Sequence, residues 1–322
     1  MNILLTLDCS LDCAYCFARA CRTEAALQEM PVSELEQITS TLDPCNDPVR
    51  LMGGEPTLHS QYPEIMKALK KAQGFSVTVF TNGLQSILRQ PLPALPDSIL
   101  LNLNDWQTYS EIQKVTIQEN AAALGDRISL AFTITAPDFD LSAHRRLILD
   151  HGLRPVIRLG LAQPVVGGDN GYLPDGDLPA AHQAVVAWAD LLARDGIRIC
   201  LDCGFMRCHF NDTEMETLIR AGAVLNFQCR PTLDIGPGLR VWRCFAFSSG
   251  PGVDWRDYQD GGLLRDLFQA RDQECRLGRG SCEYASGGWC QGGCLARSMT
   301  HQGKASVEAE GLFLRNVGVN TL

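Results

Sequence analysis

The sequence lacks the features that mark secreted, membrane or nucleic-acid-binding proteins. Its 322 residues contain no run of eighteen apolar residues, and the start MNILLTLDCS has neither the basic residues nor the long apolar stretch of a signal peptide. The formal net charge of −9 comes without a basic block that could attract phosphate groups or an anionic membrane. We therefore predict a cytoplasmic protein that binds neither nucleic acid nor membrane.

Further absences reduce the number of fold classes that the sequence permits. The chain has no internal repeat and no low-complexity stretch, and no Gly-x-Gly-x-x-Gly follows its first apolar run, so a dinucleotide-binding fold loses its main support. The content of 45% apolar and 20% charged residues is typical of a globular protein. The length predicts one large α/β domain with a small appendage.

Short apolar runs alternate with helical patterns through the first two-thirds of the chain, which predicts a parallel sheet built from βα units and an open or closed barrel. The six predicted strands are 3–7, 49–52, 76–80, 99–103, 128–133 and 156–161. The predicted helices are 32–42, 61–73, 108–124, 141–150 and 178–194. We expect Ser60 to cap the second of these helices.

The composition changes near residue 201, where cysteine, glycine and aromatic residues become dense. Two predicted strands, 233–235 and 239–247, flank a Gly-Pro-Gly turn. This segment has too many loops to hold a core alone, as in small domains that are stabilised by metal. We predict a barrel domain at 1–202 and a cysteine-rich domain at 203–322.

Cysteine, in contrast, is abundant, with fourteen in the chain. In a reducing compartment, grouped cysteines more often bind metal than form disulfides, whereas the scattered Cys21 and Cys45 fit small buried residues. Cys9, Cys13 and Cys16 follow the first predicted strand with the spacing Cys-x3-Cys-x2-Cys. Three thiols can hold three corners of an iron–sulfur cube and leave one iron open to a substrate or cofactor.

This spacing, with an aromatic residue directly before the third cysteine, resembles that of the radical S-adenosylmethionine (SAM) enzymes. The resemblance implies that the open iron of a [4Fe–4S] cluster binds the amino and carboxylate groups of SAM, and that reductive cleavage gives a 5′-deoxyadenosyl radical. It also implies a partial (β/α)6 TIM-like barrel and an electron donor of the flavodoxin or ferredoxin type.

Two later motifs strengthen the resemblance. Gly-Gly-Glu-Pro at 53–56 is similar to the family's glycine-rich loop, in which backbone groups and the acid contact the methionine amino group of the cofactor, and Thr-Asn-Gly at 81–83 is common in the superfamily. Because the motifs end three successive strands, we expect the chemistry at one mouth of the barrel. The cofactor contacts that the resemblance implies are Tyr15, Gly53, Gly54, Glu55, Pro56, Thr81 and Asn82.

Polar residues on the later strands are further candidates. Asn102 and Asn104 are candidates for the ribose hydroxyls, because an amide side chain both donates and accepts hydrogen bonds. Thr133, Thr135 and Arg158 are candidates for the cofactor carboxylate or a substrate. Each of the last three also fits an ordinary polar residue at a strand end.

The second group of cysteines resembles the SPASM/twitch extension, which binds one or two auxiliary [4Fe–4S] clusters in radical SAM enzymes. Its members are Cys229, Cys244, Cys275, Cys282, Cys290 and Cys294. Three departures from the family pattern stand out: Arg279 occupies the place of a cysteine, the gap from Cys282 to Cys290 is longer than usual, and no cysteine follows Cys294.

Carried over residue by residue, the pattern implies two clusters that are each one ligand short. The nearer one takes Cys229, Cys244 and Cys294, and the outer one takes Cys275, Cys282 and Cys290. Either an iron stays open, or the missing thiols come from Cys200, Cys203 and Cys208. One alternative is a single twitch cluster on Cys229, Cys244, Cys290 and Cys294. A zinc ribbon is the other alternative.

Cys203 and Cys208 also have a catalytic alternative. An unligated, protonated thiol at either position could donate a hydrogen atom to a substrate radical, because a sulfur–hydrogen bond is weak. His209 beside Cys208 is set aside, because adjacent side chains point apart and Cys/His dyads are formed in space.

We favour an enzyme that abstracts hydrogen from a peptide and thereby crosslinks, oxidises or epimerises it. The alternatives are a dehydrogenase or rearrangement enzyme that acts on a small molecule and, in another class, a non-catalytic iron–sulfur redox or scaffold protein. Since the first predicted strand starts at residue 3, we expect no leader-binding module before the barrel. A peptide enzyme would then be leader-independent or would use a separate peptide-binding protein.

Overall fold

The structure is a computed structural model of the chain. It describes residues 1–19, 22, 28–72, 74–86, 95–104, 106–250, 252–276 and 282–301. Cys21 and Arg279, which the sequence analysis singled out, lie outside the described residues.

One ten-stranded sheet organises the chain, in the strand order β10-β9-β8-β1-β2-β3-β4-β5-β6-β7. The strands are β1 Asn2–Thr6, β2 Val49–Gly53, β3 Val77–Thr81, β4 Ser98–Asn102, β5 Ile128–Ile134, β6 Val156–Leu161, β7 Arg198–Leu201, β8 Asp234–Gly236, β9 Arg240–Trp242 and β10 Val253–Asp254. From β1 to β7 every neighbouring pair is parallel, so all seven strands end at the same edge.

All six predicted strands of the barrel form, and their bounds differ by at most one residue at either end. The structure adds a seventh strand, Arg198–Leu201, that the sequence analysis missed. Only Ile199 and Leu201 of this strand are buried, so its apolar signal is short. The expected partial TIM-like α/β architecture is confirmed.

Helices connect the strands on the outer side of the sheet. They are α1 Val32–Thr39, α2 Tyr62–Lys67, α3 Glu111–Leu124, α4 Ser142–His151, α5 Leu178–Ala193, α6 Asp212–Arg220, α7 Gly261–Arg276, α8 Glu283–Ser286 and α9 Leu295–His301. The predicted Ser60 cap was wrong, because Gln61 occupies the cap position of α2. The amide and hydroxyl of Ser60 instead donate to the Glu29 carboxylate, at 2.9 and 2.5 Å.

Two buried cores lie against the sheet, one under β4–β7 and one under β1–β3. The second core also contains Ile235 and Val241 from the C-terminal hairpin and Leu264 from α7. β8 pairs in parallel with β1, and the Asn2 amide donates to the buried Asp234 carboxylate at 2.6 Å. The hairpin therefore continues the sheet of the barrel, and the domain boundary at residue 203 stays a prediction.

The second strand of that hairpin is shorter than predicted. It ends at Trp242, because the chain turns at Cys244 into a short 3-10 helix, Phe245–Phe247. In the described part of the chain, the helices are too short or too polar to cross a membrane.

Candidate active site

The carboxyl ends of the parallel strands surround a cavity of about 800 Å3. Fourteen side chains named in the sequence analysis line it: Cys9, Cys13, Tyr15, Cys16, Thr81, Asn82, Asn102, Asn104, Thr133, Arg158, Cys203, Cys229, Cys244 and Cys294. Gly53 and Gly54 line it as well. The described candidates that do not line it are Glu55, Pro56, Thr135, Cys200, Cys208, Cys275, Cys282 and Cys290.

The loop after β1 presents Cys9, Cys13 and Cys16 to one side of this cavity. The Cys16 amide donates to the Cys13 carbonyl at 3.0 Å, which turns the loop back on itself. The Leu11 amide donates to Cys9 Sγ at 3.5 Å, while burial raises the pKa of the Cys9 thiol. Three converging thiols are the donor set of an iron–sulfur cube with one free corner, so these residues fit that group.

Two glycines let the end of β2 lie directly against this loop. The Gly54 amide donates to the Thr6 carbonyl, and the Glu55 amide donates to the Asp8 carbonyl, both at 2.7 Å. A Cβ atom on Gly53 would lie 2.2 Å from the Thr6 carbonyl oxygen, and one on Gly54 would lie 2.2 Å from that of Asp8. The close approach that requires glycine here is therefore to the backbone that leads into the cysteine loop.

Glu55 does not line the cavity but links the ends of β2 and β3 by hydrogen bonds. Its side chain is fully buried, and burial raises the pKa of the carboxyl. The carboxylate accepts hydrogen bonds from the hydroxyls of Thr57 and Thr81, at 2.6 and 2.8 Å, and from the backbone amide of Asn82 at 2.7 Å. The side-chain amide of Asn82 donates to Ser10 Oγ at 3.2 Å, beside Cys9. Direct contact between Glu55 and the cofactor stays a prediction.

The two asparagines of β4 differ in what they can offer a ligand. Asn104 is buried and pairs with the backbone of Thr133, donating to its carbonyl at 2.7 Å and accepting from its amide at 3.2 Å. Asn102 is exposed to the cavity. Asn102 is therefore the better placed of the two for ribose hydroxyls, while Asn104 joins β4 to β5.

Arg158 projects into the cavity from β6. Its guanidinium forms an ion pair with Asp202 at 2.8 Å and lies 5.7 Å from the centre of the Phe80 ring. Burial opposes its charge, but Asp202 raises the pKa of Arg158 above its ordinary value. Thr135 is exposed and lies outside the cavity wall.

Four thiols line the side of the same cavity that the C-terminal segment forms. We call Cys203, Cys229, Cys244 and Cys294 the inner thiol group. The sulfurs of Cys203 and Cys294 lie next to each other, and the amides of Ala296 and Arg297 also face the Cys294 sulfur. These donors lower the pKa of Cys294, whereas burial raises the pKa of Cys244 to about 12.

An ion pair supports the inner thiol group. Arg243 and Asp272 have side chains only 2% and 7% exposed, and Arg243 Nε donates to the carboxylate at 2.6 Å. The same guanidinium lies 3.5 Å from the sulfurs of both Cys229 and Cys244. Burial opposes its charge, yet Asp272 and these cysteines hold the pKa of Arg243 well above its usual range.

Three other thiols, Cys208, Cys282 and Cys290, line a second cavity of about 420 Å3 and are called the outer thiol group. Asp272 lines this second cavity while its partner Arg243 lines the first, so the ion pair lies between the two thiol groups. Cys275 packs near Cys229 against α9.

The linker between Cys290 and Cys294 explains how neighbouring cysteines reach different groups. Gly292 and Gly293 both adopt positive φ angles, 77° and 75°, which favour glycine. The turn that results sends Cys290 to the outer thiol group and Cys294 to the inner one.

The structure thus adds Cys203 to the three thiols expected nearer the active site, and Cys208 to two of the outer three. Cys200 instead lies on β7, paired with Arg158 of β6. Among the described residues, no group of three or more histidine, cysteine or acidic side chains is arranged to hold a metal ion. Both the zinc ribbon and the auxiliary iron–sulfur clusters therefore stay predictions.

Of the charged residues in the cavity wall, the sequence analysis identified only Arg158. Two carboxylates, Asp202 and Asp234, stand against five guanidinium groups, from Arg50, Arg158, Arg230, Arg243 and Arg265. Burial, with the charges of Arg158 and Arg265, lowers the pKa of Arg50. Isolated arginines on strands that alternate inward and outward are visible only after the barrel closes.

The sequence of residues 3–122 matches the family model of the radical SAM superfamily. A stretch of 143 residues, 42% of this chain and 42% of the relative, is 31% identical to GTP 3′,8-cyclase of Chlorobaculum tepidum. A probable GTP 3′,8-cyclase of Methanococcus maripaludis is 28% identical over 137 residues, which are 41% of this chain and 45% of the relative. The chain thus spans less than half the length of these curated relatives.

Among solved structures, the chain is similar to Streptococcus suis SuiB bound to its precursor peptide SuiA. The TM-score is 0.56 at 14% identity, covering 82% of this chain and 66% of that one. SuiB bound to SAM gives a TM-score of 0.51, also at 14% identity, over 76% of this chain and 59% of that one. At this identity the likeness establishes the fold.

Proposed function

We propose that this chain, which belongs to the radical SAM superfamily by its residues 3–122, cleaves SAM and abstracts hydrogen from a peptide. The superfamily implies an enzyme with a [4Fe–4S] cluster and SAM as cofactors. The observation that carries the proposal is one cavity with the N-terminal thiols on one side and the inner thiol group on the other.

In this proposal, Cys9, Cys13 and Cys16 ligate the cluster on which SAM is bound. When bound, the pair supplies a 5′-deoxyadenosyl radical, with an electron from a donor of the flavodoxin or ferredoxin type. The chain's own part is positional: Gly54 and Glu55 hold the cysteine loop against β2, and Asn102 faces the nucleoside side of the cavity.

A peptide substrate is supported by the cavity and by the fold. A cavity of about 800 Å3 lies at the upper end of the range for small-ligand sites, so it has room for SAM and one or two amino-acid side chains. The fold resembles that of SuiB, whose structure was solved with a precursor peptide bound. A separate peptide-binding protein is a further partner in this proposal.

We also propose two auxiliary [4Fe–4S] clusters. The inner thiol group offers four thiols at the substrate cavity, with Cys203 as the ligand that the family pattern lacks. The outer thiol group offers Cys208, Cys282 and Cys290. Cys275, which the family pattern assigns to this cluster, does not line the second cavity and packs against α9, as Cys229 does. A single cluster on Cys229, Cys244, Cys290 and Cys294 has less support, because Cys290 lines the other cavity.

A second candidate is a radical SAM enzyme that acts on a small molecule. It is favoured by the similarity to GTP 3′,8-cyclases, which by their name act on a nucleotide. A non-catalytic iron–sulfur protein has less support, because three thiols beside a ligand-sized cavity leave an iron corner for a cofactor.

The test is formation of 5′-deoxyadenosine by anaerobically reconstituted, chemically reduced protein given SAM. We expect product from the unaltered chain and from the matched control Cys45→Ala, whose exposed thiol lies outside both groups. Replacement of Cys9, Cys13 and Cys16 by alanine should abolish it. Continued formation by that triple variant would refute the proposal.

The peptide part is tested separately with a peptide encoded beside the gene, prepared with deuterated residues. Transfer of deuterium into 5′-deoxyadenosine identifies it as the hydrogen donor. Cleavage of SAM without any such transfer, combined with transfer from a deuterated nucleotide, would favour the second candidate.

A further inference from the structure

The charge of the cavity is opposite to that of the chain. The protein carries a formal net charge of −9, yet the cavity wall holds five arginines and two aspartates, with no lysine and no glutamate. A cleft lined by one sign of charge concentrates ligands of the other sign. The excess positive charge is therefore a property of this site and not of the protein surface as a whole.

Two of the five arginines already have a carboxylate partner. Arg158 pairs with Asp202, and Arg243 pairs with Asp272. Within the described part of the chain, neither Arg50 nor Arg265 forms an ion pair. Each of these two guanidinium groups stays uncompensated at the cavity wall.

The register of the sheet explains how Arg50 reaches the cavity. In β2, Val49 and Leu51 point into the core under the sheet, while Arg50 between them points into the barrel. Arg50 pairs in register with Asn2 of β1 and with Thr78 of β3, which places it below the strand ends that carry the cofactor candidates. Arg265 approaches the same region from α7.

The second carboxylate of the wall does not neutralise them. Asp234 is buried and accepts hydrogen bonds from Asn2 and Thr232, at 2.6 and 3.3 Å. Arg50 is exposed to the cavity and Arg265 is half-buried, so both guanidinium groups are accessible to a ligand. Two accessible guanidinium groups without an ion-pair partner can bind an anionic group of that ligand.

We propose that Arg50 and Arg265 form an anion site at the floor of this cavity, below the Arg158–Asp202 pair, that binds a carboxylate of the substrate. This inference rests on the proposed function for the identity of the substrate: a peptide that presents an aspartate, a glutamate or its C-terminal carboxylate. A guanidinium also binds phosphate bidentately, so the test separates these two sources of negative charge.

The experiment compares three probes on the reconstituted holoenzyme by calorimetric melting at constant ionic strength: glutarate, its neutral diamide, and inorganic triphosphate. At about ten times its dissociation constant, glutarate should raise the melting temperature by roughly 2–4 °C, and the diamide should not. In Arg50→Met and Arg265→Met this shift should disappear, while Arg50→Lys should keep part of it.

The matched control is Arg145→Gln, which removes a surface arginine paired with Asp195 and should respond like the unaltered protein. Equal shifts for glutarate and the diamide, or an undiminished glutarate shift in both methionine variants, would overturn the anion site. A shift that depends on Arg50 but occurs only with triphosphate would overturn the carboxylate and support a nucleotide. If Arg50→Met does not fold, Arg265→Met and Arg50→Lys decide the same question.

Failure of this inference and failure of the proposed function give different results. The same preparation is assayed for 5′-deoxyadenosine without any substrate. Cleavage of SAM without a glutarate-dependent melting shift would refute only the anion site. A glutarate-dependent shift without cleavage of SAM would refute the proposed enzyme activity and support the anion site.

Discussion

The sulfur of Cys203 lies next to that of Cys294, which places the end of the barrel's last strand beside the start of α9. This contact brings Cys203 into the inner thiol group, where the cysteine pattern alone left one ligand missing. If Cys203 is that ligand, Cys203→Ala should lose or convert the inner cluster, measured as a loss of roughly four irons per chain or a changed electron paramagnetic resonance spectrum.

Iron content also separates ligation from the hydrogen-donor alternative. A thiol that quenches a substrate radical must be unligated, so Cys203→Ala would then keep its iron and still form 5′-deoxyadenosine while losing the final product. Cys200→Ala is the matched control, because Cys200 lies on the adjacent strand β7 outside both cavity walls. Unchanged iron and unchanged turnover in Cys203→Ala would contradict both roles.

The outer thiol group predicts a different outcome for Cys208. Cys208→Ala should reduce iron content or alter the cluster spectrum, because this thiol faces Cys282 and Cys290 across the second cavity. Formation of 5′-deoxyadenosine should persist, since Cys208 does not line the first cavity, in which the proposal places SAM. The unaltered chain should hold roughly eight to twelve irons, and a fully reconstituted sample with about four would eliminate the auxiliary clusters.

If the inner thiol group holds the proposed cluster, Arg243 should set the reduction potential of that cluster, because hydrogen bonds and positive charge at the sulfurs favour the reduced state. In a Cys9, Cys13 and Cys16 triple-alanine background, Arg243→Gln should reduce the ratio of reduced to oxidised inner cluster roughly tenfold at fixed potential, about 59 mV. A spectroscopic redox titration measures this.

The variant leaves Asp272 buried without its partner, which itself destabilises the protein. The double variant Arg243→Met with Asp272→Leu removes both charges and should show the same lowered potential. Arg243→Lys keeps the positive charge, and its reduction potential should lie between those of the unaltered protein and the double variant. An iron-loaded double variant with an unaltered potential would show that the arginine is structural only.

Gly54→Ala should disturb the cysteine loop, because the added methyl group would lie 2.2 Å from the Asp8 carbonyl oxygen. We expect a loss of about 1–3 kcal/mol in the free energy of unfolding, together with slower cleavage of SAM. Gly176→Ala is the matched control, since no atom lies within 4 Å of its added Cβ. Equal behaviour of the two variants in urea unfolding would refute this view of the loop.

His144 predicts a loss of stability in acid. Burial lowers its pKa to about 4, well below the ordinary value of about 6.5. Its contribution is complete above pH 6.5 and falls as the pH drops toward 4, because only the unfolded chain then takes up the proton. At about 1.4 kcal/mol per unit, lowering the pH from 7.5 to 5.5 should cost roughly 1.4 kcal/mol.

In His144→Phe this part of the pH dependence should be absent, measured by urea unfolding at the two pH values. The variant should still lose some stability as the pH falls, because burial also lowers the pKa of His182 to about 3 and that of His209 to about 4. A steeper slope in the variant would show that His144 is not buried in its neutral form.

The sequence predicts the barrel well, because a buried strand between two helices has a strong periodic signal. It misses β7, where only two side chains are buried. It also misplaces the cap of α2, because Ser60 donates hydrogen bonds to Glu29 instead. These contacts depend on residues brought together by the fold, and local propensity carries no information about them.

The site divides in the same way. The spacing of Cys9, Cys13 and Cys16 identifies the N-terminal triplet, because a short loop fixes which thiols can converge. The pairing of Cys203 with Cys294 does not follow from spacing, since the barrel's last strand and α9 are brought together only by the folded chain. The sequence analysis did not identify Arg50. One polar residue in an apolar strand points to a site only when it is known which face of the strand lines the barrel interior.

The parallel pairing of β1 with β8 has a consequence for the order of events during synthesis. β1 is made first, yet one of its hydrogen-bonding edges waits for Asp234–Gly236, which the ribosome adds only after the other six barrel strands. Until then that edge is open to pairing with another chain. The cysteine loop also waits for later residues, because Gly171 and Ser248 donate hydrogen bonds to the carbonyls of Ala14 and Phe17.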